Sequence, residues 1–242
     1  MNKAKKILAL LLCAVLLVGA TVAGTVAYLT DRDEVVNNFT VGEVHIKLDE
    51  APVNENGKEV EGSRVQSNKY HLQPGMTYDK DPMVTVLKGS EECYVRMFVT
   101  INNCDDWDNI FKKHAAAGEA LNIEQIFSIQ KDYWTYQKNT KDLAGEGTDT
   151  RTYEFWYKEA VAKDTAKDSP LAPLFTTISM PDVLDNDDMA SLTDNPATDT
   201  VKEPDLQIYV VAQAIQTASF TDMADAFTNA PAITGAELVP TP

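Results

Sequence analysis

One short stretch constrains the fold more than any other. Between Cys93 and Cys104, the side chains of Val95, Met97, Val99 and Ile101 alternate with those of Tyr94, Arg96, Phe98 and Thr100. A period of two is the signature of a β-strand. Both series carry large side chains, which predicts a strand buried on both faces at the centre of a sheet. The same alternation returns in Val44, Ile46 and Leu48, in Tyr153, Phe155 and Tyr157, and in Ile208, Val210, Ala212 and Ala214. Further strands are expected over residues 83–87, 133–137 and 174–180. Polar, turn-rich connections separate them: a loop or loose hairpin over 51–68 around Asn56-Gly57, and a turn at Leu72-Gln73-Pro74-Gly75. Helices are few. One is expected over 105–118, capped by Asp105 or Asp106 and closed by Gly118, and another over 221–229 with Thr221 as cap. Residues 121–129 suit either state. Many strands with long connections and no strand–helix alternation predict an all-β fold: an antiparallel, jelly-roll-like β-sandwich with short helical insertions.

The first 27 residues stand apart. Lys3, Lys5 and Lys6 precede an apolar run over 7–18, and small residues lead to Thr25-Val26-Ala27. A basic start, an apolar middle and a small-residue exit form an export signal, with cleavage expected between Ala27 and Tyr28. The competing reading is an uncleaved anchor, since residues 7–26 have about the length of a membrane span. The expected organisation is a signal peptide over 1–27, one sandwich domain over 28–229, and a flexible tail over 230–242. A possible insert covers 105–149, and an acidic loop covers 182–205. The product is expected to be secreted or held at the cell surface, free of the membrane after cleavage.

The chain of 242 residues carries a net charge of −16, and loss of the three leader lysines leaves the remainder near −19. Such acidity argues against nucleic acid and anionic lipid as partners, because both repel it. Of the three cysteines, Cys93 and Cys104 flank the central strand, whose ends stand roughly 30 Å apart at about 3.3 Å per residue. A disulfide spans at most about 7 Å between Cα atoms, so both are expected as free, buried thiols.

Catalytic signatures are absent from the sequence. His45, His71 and His114 lack metal-site spacing and are expected at the surface. No nucleophile elbow or phosphate-cradling loop occurs. Asp182, Asp185, Asp187 and Asp188 are weak calcium candidates, set against a solvated acidic loop. Trp107, Trp134 and Trp156 are candidates for stacking on a sugar or a partner, set against sheet packing for Trp134 and Trp156. No cofactor is expected.

The segment Gly24-Thr25-Val26-Ala27-Tyr28-Leu29-Thr30-Asp31, running on to Asn38-Phe39-Thr40-Val41-Gly42-Glu43-Val44, resembles the N-termini of the TasA and camelysin family of Gram-positive bacteria. Leu72-Gln73-Pro74-Gly75, Lys80-Asp81-Pro82, Cys93-Tyr94-Val95-Arg96, Phe155-Trp156-Tyr157-Lys158 and Ala212-Gln213-Ala214-Ile215-Gln216 are similar in the same order. The resemblance implies a jelly roll, processing by a SipW-type signal peptidase, and a structural role in extracellular biofilm matrix. It also implies fibres in which the N-terminal segment of one subunit adds as a strand to another copy or to a cognate matrix subunit. Tyr28, Leu29, Val35, Val36, Phe39 and Val41 are the apolar residues such a donor offers. Phe39 and Val41 equally suit the start of the protein's own first strand. Camelysin is described as a protease, so a secreted metalloendopeptidase is the alternative, and a carbohydrate-binding adhesin module a third. The 105–149 and 182–205 segments depart from the family pattern.

Overall fold

The computed structural model describes residues 30–33, 43–70, 72–118, 121–145, 148–193 and 207–238. Its strands are β1 (Thr30–Asp33), β2 (Ile46–Asp49), β3 (Thr77–Asp79), β4 (Met83–Val86), β5 (Cys93–Asn102), β6 (Phe127–Ile129), β7 (Trp134–Lys141), β8 (Thr150–Tyr157), β9 (Ser169–Pro170), β10 (Phe175–Ser179) and β11 (Ile208–Gln216). The helices are α1 (Cys104–Ala116), α2 (Ile123–Ile126), α3 (Asn186–Thr193), α4 (Met223–Asn229) and α5 (Gly235–Leu238). Three antiparallel sheets form, in the orders β1-β11-β5-β8-β7, β3-β10-β6 and β2-β4-β9. The fold is mainly β, with a few short helices.

The predicted central strand is central. β5 lies between β11 and β8, and Val95, Met97, Val99 and Ile101 are all buried. They share one core with Ala212 and Ala214 of β11, Tyr153 and Phe155 of β8, and Val84, Val86, Phe127, Phe175 and Ile178 of the two smaller sheets. That single core holds the large sheet against the small ones. Trp107 and Ile110 of α1 and Trp134 of β7 belong to it as well. Within the 105–149 segment, α1 and β7 thus share the main core. Arg151 ties α1 to β8 by a paired contact, its Nη1 and Nη2 each donating to one carboxylate oxygen of Asp108 at 2.7 Å.

The excursion over 51–68 is a loose hairpin, as expected. Single bridges join Glu50 to Val65 and Val53 to Glu59. Its turn needs Gly57, which has φ 66° and lies so close to Tyr78 that a Cβ would fall 2.3 Å from the ring carbon Cδ1. Arg64 pins the hairpin to the sheet by donating to Asp49 and to both the side chain and the carbonyl of Asp81.

Several expectations need correction. The segment 182–205 is not a continuous loop, because α3 lies within it. Asp185 Oδ1 accepts from the backbone N–H of Asp188 at 2.9 Å, and Asp188 Oδ2 accepts from that of Asp185 at 3.1 Å. This reciprocal pair is a capping box with aspartate in both positions. Buried Leu184 and Leu192 then dock the turn and helix on the core. α1 takes Asn103, not Asp105 or Asp106, as its N-cap residue; Asn103 has φ 54° and makes no capping bond of its own. Asp149, the residue before β8, accepts instead from the Asp105 N–H at 3.0 Å. α4 is capped by Asp222 rather than Thr221. β7 runs for eight residues, longer than the 133–137 expected. Residues 121–129 contain a helical turn followed by a strand, so both readings of that stretch hold in part. The chain beyond Asn229 is not loose through Leu238, which is fully buried.

Candidate functional site

Strand β11 is where the two ends of the described chain meet. Its inner edge pairs with β5 over its whole length, from Ile208 opposite Ile101 to Gln216 opposite Cys93. Its outer edge carries β1, with Thr30 opposite Ile215 and Asp33 opposite Ala212. Among the described residues, the four of β1 lie opposite Ala212–Ile215 of the nine-residue β11. A strand this short is held by a few main-chain hydrogen bonds and is weak as a unit.

The face of β11 turned away from the main core is covered by the C-terminal segment. Phe227 and Ala226 of α4 pack on Ile215, with Tyr94, Trp156 and Phe220 around them. Beneath them lies a buried polar network. Arg96 Nε donates to Gln213 Oε1 at 2.7 Å, and Nη1 donates to Glu154 Oε1 at 2.9 Å. The guanidinium also sits between the rings of Phe98 and Phe227, at 4.9 and 4.8 Å from their centroids. Gln213 Nε2 donates to the Pro231 carbonyl at 3.2 Å, and Trp156 Nε1 donates to Glu154 at 2.8 Å. β11 is thus fixed on one edge and one face, and among the described residues its other edge carries β1.

The opposite margin of the sheet is built differently. Among the described residues β7 is paired on one side only; its register breaks between Tyr136 and Lys138, and its side chains are mostly exposed. Lys138 and Lys141 stand along it. Bulges and lysines are devices that discourage strand pairing at an edge.

The cleavage pair Ala27 and Tyr28 lies outside the described residues, as do the donor residues Leu29, Val35, Val36, Phe39 and Val41 and the histidine His71. Within the same segment, Thr30–Asp33 pairs with β11 of its own chain.

The four acidic candidates do not converge. Asp182 and Asp187 are exposed. Asp185 and Asp188 cap α3 and pair with Lys113 Nζ, each at 2.8 Å. Burial raises the Asp188 carboxyl, but hydrogen bonds from Lys113, the Asp185 N–H and His114 outweigh it and hold the group at about 2. His114 is buried rather than at the surface, with Nε2 2.9 Å from Asp188 Oδ2. It faces inward because α1 packs beside α3, a contact between segments more than 70 residues apart. His45 is half-buried beside Glu43.

Cys93 and Cys104 are free and buried, as expected. Burial pushes both thiols up to about 12, so neither supplies a thiolate at neutral pH. Cys104 Sγ donates to Asp149 Oδ1 at 3.1 Å and lies with Asp105 in a group whose ligand atoms are within 4.8 Å of one another. The Lys141 ammonium already pairs with Asp105 there. Trp107 and Trp134 are buried and offer no stacking surface, because α1 and β7 turn them into the core. Trp156 is half-buried under α4.

Comparison with family models, curated proteins and solved structures returns no match. Among the described residues, no helix is long and apolar enough to cross a membrane.

Proposed function

We propose that this chain is an exported structural protein of the cell surface or extracellular biofilm matrix, with a jelly-roll-like sandwich of the TasA and camelysin kind. It assembles by strand addition. The N-terminal segment leaves the β11 edge of its own subunit and completes the equivalent edge of the next copy, or of a cognate matrix subunit. The observation that carries this reading is the pairing of Thr30–Asp33 with the outer edge of β11. That segment is already a strand that fits this edge, and an edge contact made by main-chain hydrogen bonds is satisfied equally by a neighbour's segment. Exchange conserves the bonds that Thr30–Asp33 makes with this edge. Removal of the leader by a SipW-type peptidase frees the segment to move, which couples assembly to export.

Protein beginning at Tyr28 tests this by negative-stain microscopy and sedimentation. Fibres or oligomers are expected. The double substitution Asp31→Pro and Arg32→Pro removes adjacent backbone donors, so whichever residue faces the edge is disabled. This variant is expected to keep its melting temperature within a few degrees and to remain monomeric. Persistent monomers of the unsubstituted protein, or equal assembly by the proline variant, would sink the reading.

A further inference from the structure

Between α2–β6 and the β7–β8 hairpin lies a groove of about 650 Å³. That size falls within the range of small-ligand sites. Buried aromatic side chains underlie it. Trp134 is fixed by donation from Nε1 to the Ala172 carbonyl at 3.0 Å, while Tyr153 and Phe155 are buried members of the core. One wall is Tyr136, which remains 48% exposed although its ring packs 5.6 Å from that of Phe155. Asn139 Nδ2 donates to the Tyr136 hydroxyl at 2.7 Å and holds that ring in place. The rim is polar: Asn122 and Asn139 supply amides, and Lys131 and Lys158 supply ammonium groups. Glu124 pairs with Lys131 at 2.6 Å, while Lys158 Nζ donates to a carbonyl, that of Lys131. On a chain of net charge −16, this mouth is locally cationic.

We propose that this groove binds an acidic saccharide, a short run of pyranose rings bearing carboxylates. An exposed, immobilised aromatic ring suits the apolar C–H face of a pyranose, and side-chain amides suit its hydroxyls. Lys158 selects the carboxylate, and the Glu124–Lys131 pair offers both a donor and an acceptor beside it. An added peptide strand fits less well, because the bulge and the lysines of β7 oppose pairing along this margin. The site lies at the far end of the sheet from β11 and does not depend on strand exchange.

Isothermal titration of the purified protein with α-1,4-linked trigalacturonate, using maltotriose as the neutral comparator, tests the site. Saturable binding with about tenfold preference for the acidic sugar is expected. Tyr136→Ala removes a half-exposed ring and is expected to weaken both ligands about tenfold, the upper range for an aromatic contact. Lys158→Gln is expected to abolish the preference while leaving maltotriose binding unchanged. Lys47→Gln, on β2, is expected to change nothing. Circular dichroism and melting curves verify that each variant folds. No saturable binding, equal affinity for the two sugars, or folded Tyr136→Ala with unaltered affinity overturns the proposal. So does a concentration-dependent dimer that Tyr136→Ala dissolves, since a second copy would then fill the groove.

Discussion

Replacing Arg96 with methionine perturbs the network that fixes β11 while keeping much of the side-chain volume. Arg96 and Glu154 are both almost fully buried, and their contact at 2.9 Å is the central ion pair of the second face. The substitution deletes that pair, the bond to Gln213 and the stacking on Phe98 and Phe227. Hydrogen bonds to charged groups contribute about 1.5–3 kcal/mol each, and a cation over an aromatic face about 0.5–2 kcal/mol. The desolvation of arginine that the variant avoids offsets part of that sum. Glu154 keeps Trp156 at 2.8 Å and the more distant Lys138 at 3.5 Å, so its charge is only partly compensated. The expected loss is about 3–5 kcal/mol, the range for breaking a buried pair from one side. Urea unfolding followed by tryptophan fluorescence reads it directly. Adding Glu154→Gln to Arg96→Met removes the stranded charge and is expected to restore about 1–3 kcal/mol relative to additivity. A loss below about 1 kcal/mol, or strictly additive single and double variants, would refute the view that this network fastens the C-terminal segment to the sheet.

Two further predictions concern titration and reactivity. Because the Asp188 carboxyl is held at about 2, below the ordinary value of about 3.9, its stabilisation is present above about pH 4 and disappears as pH falls toward 2. Asp188→Asn should therefore trail the unsubstituted protein by on the order of 2 kcal/mol at pH 5 and draw level near pH 2. An unchanged gap across urea titrations at both pH values would contradict the assignment. Cys93 and Cys104 should resist a thiol-specific disulfide reagent at pH 8 in the folded protein and react promptly in urea; rapid native labelling would show that burial does not protect them.

The strands were legible because alternation records which side chains face the core, and the central strand announced itself by carrying large side chains on both faces. The hairpin at Asn56-Gly57 and the helix closing near Gly118 followed from local backbone demands. What escaped depends on distant partners. Asp149 serves α1 from just before β8, and His114 is buried because α3 arrives beside it. Trp107 looks like a surface aromatic until α1 is placed against the core, whereas Trp134 is buried on its sheet. α3 was a different kind of miss, since Asp185-x-x-Asp188 is a local capping pattern. Within the helix, Met189 and Leu192 stand three apart on one face, a spacing that a run of acids masks. The seat of Thr30–Asp33 on β11 had no sequence signal, because a four-residue polar strand has no amphipathic pattern to read.

The placement of β11 beside β5 governs the order in which this molecule acquires its shape. Ile101 waits for Ile208, and Cys93 waits for Gln216. More than 100 residues must be synthesised before the middle of the sheet finds its second neighbour. Loop closure of that length precedes any reward, which places the protein among slow folders rich in nonlocal pairings. Until the final strand arrives, the flank of β5 stays exposed to other chains, and a nascent polypeptide of this design must be shielded or kept extended during that interval.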